Sequence, residues 1–172
     1  SEENVLTASA WFSGARETRN LIEADNALYL VANPMPYILK RSADIQGAIS
    51  FTPISNSLKK NELSILLGIN SPSGFEINSS DKVNNHIKIN FKDNKAYIST
   101  VNANKESIIR ECDAVINFNG ENTISFSKSQ AGVNTYLKIL FNGTEIYAGT
   151  PGIAIGDYYG ILSKTDNIRI NK

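Results

Sequence analysis

Residues Thr135–Tyr147, reading TYLKILFNGTEIY, constrain the fold more than any other stretch of the chain. Leu137, Ile139 and Phe141 recur at period two with Tyr136 and Lys138 on the opposite parity, the spacing of a half-buried antiparallel strand. Asn142-Gly143 follows, and both residues accept positive φ, so a tight primed turn can return the chain through Thr144–Ala148. Slipping the pairing by one residue would carry Phe141 to the solvent side. The register is therefore strongly specified.

The same pattern recurs along the chain. His86–Phe91 alternates with Ile87, Ile89 and Phe91 inward, and Asp93-Asn94 turns it into Lys95–Val101. Ile45–Thr52 stops at Pro53, and the branched apolar run Leu63–Asn70 stops at Ser71-Pro72-Ser73-Gly74. Phe75–Asn78, Ser107–Phe118, Asn122–Lys128, Ile153–Ile155, Tyr158–Leu162 and Asn167–Ile170 complete a set of short strands with no convincing long helix. No repeat of fixed period appears. The expectation is an all-β fold, a two-sheet antiparallel β-sandwich of jelly-roll type.

Residues 1–44 read as a lead-in packed on the same domain, and 45–172 as the sandwich, giving a single domain overall. In the lead-in, Asn4–Phe12 reads as a strand, and Ala15–Ala27 reads as a short helical turn through Leu21, Ile22 and Ala24, with an extended segment as the alternative. Leu28–Ala32 reads as a strand stopped by Asn33-Pro34-Met35-Pro36, so Tyr37 opens a new segment at a sheet edge or loop.

With 172 residues the chain can bury a core without disulfides. Seventeen basic residues balance seventeen acidic ones, which argues against nucleic acid and anionic lipid as partners. No apolar run approaches the ~20 residues of a helical membrane span, so no membrane insertion is expected. Cys112 is the only cysteine, which excludes an internal disulfide. Sharing parity with Ile108, Ala114 and Ile116, it reads as a small core side chain. His86 is the only histidine, which excludes a multi-histidine metal site.

Catalytic patterns are thin. Glu111 and Asp113 share a parity and would lie ~5–7 Å apart on a strand face, but the pair lacks a third member and reads as solvated surface charge. Ser13-Gly14 and Ser73-Gly74 are turn pieces and not a nucleophile elbow. Gly152-x-x-x-Gly156 lacks the lysine of a phosphate loop. The expectation is a protein that is not an enzyme.

Binding needs an aromatic face with fixed polar partners. Tyr158-Tyr159 is the most suggestive pair, because neighbours on a strand point to opposite faces, and Asp157 precedes them. Trp11 and Tyr37 lie near turn-rich segments, and His86, Lys88 and Asn90 form a polar row that could line a concave face.

The run from Ile49-Ser-Phe51 through His86-Ile-Lys-Ile-Asn-Phe91, Tyr136-Leu-Lys-Ile-Leu-Phe-Asn-Gly143 and Gly152-Ile-Ala-Ile-Gly156 to Asp166-Asn-Ile-Arg-Ile170 resembles concanavalin A-like (laminin G-like) lectin domains. The resemblance covers roughly residues 45–172. It implies a late hairpin, a Gly-bounded strand and a closing strand. Ala15-Arg-Glu-Thr-Arg-Asn-Leu-Ile22 is similar to openings of sugar-binding modules on phage tails and baseplates. Together these imply a non-catalytic module that recognises cell-surface saccharide within a larger adhesive or host-recognition assembly, extracellular or on a virion surface. Lectin-like sandwiches often hold a structural calcium ion, for which Asp166, with Asp44 or Asp157, would supply oxygens, although no dense Asp/Asn loop is present. A structural or protein-docking module is the alternative. A glycoside hydrolase with carboxylates from different strands is the third reading.

Overall fold

A computed structural model describes residues 12–13, 21–24, 27–30, 37–41, 46–53, 63–69, 85–103, 105–118, 120–129, 134–163 and 168–170. Among them are fourteen strands and no α-helix. They are β1 (Phe12–Ser13), β2 (Leu21–Ala24), β3 (Ala27–Leu30), β4 (Tyr37–Arg41), β5 (Gln46–Pro53), β6 (Leu63–Ile69) and β7 (His86–Lys92). The remainder are β8 (Lys95–Asn102), β9 (Lys105–Asp113), β10 (Asn122–Ser129), β11 (Tyr136–Phe141), β12 (Thr144–Gly149), β13 (Tyr158–Ser163) and β14 (Ile168–Ile170). The first sheet runs β1-β4-β13-β6-β7-β8-β9 and the second runs β12-β11-β10-β5-β14-β3-β2. All pairings are antiparallel.

The β11–β12 hairpin forms as its sequence demands. Asn142 and Gly143 take φ of +49° and +84°, and Leu137, Ile139 and Phe141 are buried. A bulge after Ile139 sets Tyr147 opposite Ile139 and Glu145 opposite Leu140, so Ile146 and Tyr147 both turn inward. The turn docks back on β10: Asn142 N–H donates to Thr123 O at 2.8 Å, and Thr123 N–H donates to Asn142 Oδ1 at 2.7 Å. The β7–β8 hairpin likewise turns on Asp93 and Asn94, with φ of +53° and +60°.

Side chains of both inner faces interdigitate into one core. Phe91 meets Phe141 with ring centroids 4.9 Å apart, and Phe126 meets Tyr159 edge-on at 5.1 Å. Such pairs contribute about 0.5–1.5 kcal/mol beyond area burial. Asn122 is fully buried at the start of β10. Its carboxamide accepts from Asn117 N–H at 2.7 Å and donates to Asn117 O at 2.8 Å, closing the 117–122 loop.

β6 is buried at all seven positions, so both of its faces are covered. Leu63, Ile65 and Leu67 enter the main core, while Leu66 and Ile69 join Leu162 and Tyr158 in a second cluster. Gly68 makes this possible. It bulges at φ +79°, and a Cβ there would stand 2.9 Å from Ile155 Cγ2.

Several expectations change. Of 15–27, residues 21–24 and 27 are described; they take the extended alternative as β2 and the start of β3. The strand read over Ser107–Phe118 ends at Asp113, and Ile108 is 61% exposed instead of inward. A bulge opposite Ile98/Ser99 reverses the parity of β9, leaving Ile108 beside Ser99 on the outer side and Cys112 and Ala114 packed toward the core. Ile153–Ile155 is not a strand: Gly152 turns at φ +84°, and Gly156 N–H is drawn to the bulged Gly68 O at 2.8 Å. The segments 4–11 and 75–78 lie outside the described residues.

Candidate functional site

Directly paired residues in an antiparallel sheet project to the same side. On the outer side of the second sheet this places Gln46, Ser127, Lys138 and Ala148 in one row across β5, β10, β11 and β12. Ala48, Ser125, Leu140 and Glu145 form the next. Small side chains sit over β10 and at Ala48, and Gln46, Lys138 and Leu140 stand taller beside them. The result is a trough of about 550 Å³ lined by Gln46, Ala48, Ser125, Ser127, Lys138 and Leu140. From β5 to β11 is two strand spacings, ~10 Å. Beyond Ser125 the floor is closed by a Ser50–Thr123 hydroxyl bond of 2.8 Å, and at the other end Tyr136, 47% exposed, pairs with Ser129.

The floor is stiffened from beneath. A Cβ on Gly47 would stand 2.7 Å from Phe126 Cζ, so only glycine lets that ring and Tyr159 pack under the strand. The Tyr159 hydroxyl donates to Ala48 O at 3.4 Å. Lys138 Nζ and Glu145 Oε1 face each other at 3.9 Å, both side chains 48% exposed.

The residues singled out from sequence fall elsewhere. Tyr159 lies in the main core, 6% exposed, where burial raises its phenol pKa, so its ring offers no open stacking face. Tyr158 points to the other side, half-buried against Leu66, Ile69 and Leu162, which follows the alternation expected of the pair. Asp157 is exposed and ion-paired with Lys128 at 3.2 Å, and Lys128 also donates to Gly156 O at 3.1 Å. His86 is 8% exposed at the start of β7. Beside it, Lys88 pairs with Glu106 at 3.0 Å and Asn90 accepts from Ser64 at 3.1 Å, so this polar row is engaged within the first sheet. Tyr37 opens β4, its backbone paired with Leu162. Trp11, Asp44 and Asp166 lie outside the described residues.

Glu111 and Asp113 both reach one cation, Lys95, at 3.4 and 3.5 Å on an exposed edge strand. The hydrogen bond that Lys95 donates to Glu111 and the charge of Asp113 raise the pKa of Lys95. This is surface charge, as the sequence reads. Burial pushes the Cys112 thiol up, which favours the protonated form over a thiolate. Among the described residues, no three His, Cys, Asp or Glu side chains gather to hold a metal ion.

Sequence reasoning missed the trough. Its signal was Ser125, Ser127 and Ser129 alternating with Ile124 and Phe126, a strand with a smooth outer side.

The chain has the concanavalin A-like jelly-roll fold. Its structure is similar to the carbohydrate-binding module CBM66 from Bacillus subtilis, with a TM-score of 0.66 and 10% identity over 95% of this chain and 92% of that one. It is similar to the Ca2+-bound exoplasmic/lumenal domain of VIP36, with a TM-score of 0.65 and 10% identity over 96% and 83% of the two chains. A prokaryotic beta-1,3-1,4-glucanase (lichenase) from a mouse hindgut metagenome matches with a TM-score of 0.61 and 11% identity over 98% and 92%. No family model and no curated protein sequence matches the chain.

Proposed function

We propose that the protein is a non-catalytic saccharide-binding module whose ligand lies in the trough on the outer side of the second sheet. One observation carries this reading. The outer sides of the central strands differ, that of the first sheet being closed over Leu66 and Ile69 while that of the second holds an open, small-floored channel about one sugar wide. Sugars combine apolar ring faces with hydroxyl fringes. Leu140 and Tyr136 supply the apolar contacts, and Gln46, Ser125 and Ser127 the hydrogen-bonding groups. The carbohydrate-binding module among the structural neighbours supports the same class of ligand.

Binding without hydrolysis is supported by the state of Glu111 and Asp113, which share one lysine on an exposed edge. A cell-surface setting, on an extracellular or virion surface within a larger adhesive or host-recognition assembly, belongs to the same proposal. So does calcium at Asp166 and Asp44, supported by the Ca2+-bound neighbour. Tyr158 with Asp157 stands as a second, smaller contact point. A docking role is favoured by a different observation, the exposed Ile108, Val115 and Phe118 on β9 and the loop after it.

Amide chemical shifts followed during titration with an oligosaccharide panel test the proposal, with and without chelator. Expected is movement of Ser125, Ser127 and Lys138 by one sugar class at millimolar concentration, abolished in Ser127→Trp, with no release of reducing ends. Movement confined to Ile108–Phe118, or none with any sugar, overturns it. Loss of binding in chelator supports the calcium site, and retention removes it.

A further inference from the structure

We infer that the trough selects an acidic saccharide, a uronate being its simplest form, whose carboxylate is taken by Lys138; this rests on the saccharide-binding reading above. Among the described residues lining the trough, Lys138 carries the only formal charge. It is also loosely held. Lys88, Lys128 and Lys95 stand 3.0, 3.2 and 3.4 Å from their carboxylates, whereas Lys138 stands 3.9 Å from Glu145, at the far limit of an ion pair.

Any ligand that covers the trough strips water from the Lys138 ammonium, and that desolvation is costly unless an anion replaces the water. Glu145 is a poor replacement: it projects from the β12 edge strand beside Leu140, one row away from Lys138. A carboxylate on the sugar would arrive in Lys138's own row, where Ser127 and Gln46 can hold the adjacent hydroxyls. A neutral sugar offers the same hydroxyls and leaves the cation uncompensated. Charge therefore separates the two classes more sharply than shape does.

The test is a panel in which each uronate oligosaccharide is matched by its carboxyl-reduced form, read by calorimetry and by amide shifts at low salt. Expected is a preference of about tenfold for the uronate, a charge-assisted hydrogen bond discounted for partial exposure. It shrinks at high salt, disappears in Lys138→Gln and grows several-fold in Glu145→Gln. Lys138 and Glu145 are both surface residues, and unchanged melting curves confirm that the variants fold. Equal binding of the reduced forms at the trough, or a preference that survives Lys138→Gln, overturns this inference and leaves saccharide binding intact. No movement of trough amides with either form overturns both.

Discussion

The two sheets are alike where they meet and unlike where they face away from each other. In the first sheet the outer side of the central strand is closed, with Leu66 and Ile69 2% and 0% exposed. Ser99 is likewise buried, beside the Lys88–Glu106 ion pair. In the second sheet the corresponding side is a row of serines between Gln46 and Lys138, open to solvent. The difference is written in the strands themselves: β6, LSILLGI, hardly alternates, because both of its sides are buried, whereas β10, NTISFSKS, alternates strictly through Phe126. The side left smooth and polar is the side available for a ligand.

Mutations can break this contrast directly. Leu66→Ala on the closed side is expected to cost about 2–5 kcal/mol in denaturant unfolding. Asn122→Ala, which removes the two hydrogen bonds that the buried Asn122 carboxamide makes to the Asn117 backbone, should cost about 1–3 kcal/mol by the same measurement, at about 0.5–1.5 kcal/mol for each bond. Leu140→Ala on the open side should cost less, about 1 kcal/mol, since a partly buried side chain at the rim of an open trough leaves little closed cavity. If it costs as much as Leu66→Ala, the second sheet is covered too and the trough is no site. Glu106→Gln, removing a partly exposed ion pair, is expected to lower stability by less than ~1 kcal/mol and only at low salt.

The smallest effect is a pH dependence at the core that both sheets share. Burial raises the phenol pKa of Tyr159, and of Tyr147 with help from Tyr136, so the unfolded chain loses these protons first. That stability is whole below ~10, the ordinary phenol value, and is lost as pH rises through the folded values. Tyr159→Phe should flatten the alkaline fall in melting temperature without abolishing it. An unchanged slope would mean that the ring is not buried as described.

Where pairing is local, the fold was legible. Leu137-x-Ile139-x-Phe141 with Asn142-Gly143, and Ile87-x-Ile89-x-Phe91 with Asp93-Asn94, carry their own register, and both hairpins form as read. Parity failed at β9, because a bulge is set by how the strand meets β8 and leaves no mark in its own alternation. Ile153–Ile155 looks like a strand by composition, yet its geometry is fixed by Gly68, more than eighty residues earlier. The trough was illegible for a related reason. Its floor comes from β5 and β10, which lie far apart in sequence, and it is made of what is missing, bulk, so no conspicuous residue announces it. Tyr159 drew attention as an aromatic and proved to be the support beneath that floor.

β9 is a nine-residue strand at the end of its sheet, with no further partner among the described strands, an invitation to runaway self-assembly. Its charges discourage it. A second copy adding antiparallel about the bulge would set Glu106 of one copy against Glu111 of the other. The neighbouring registers that keep side chains on their proper faces oppose Lys105 with Arg110, or Arg110 with itself. Concentrated solutions should therefore stay free of fibrils despite the bare Ile108, and Glu106→Val with Glu111→Val should make them scatter light.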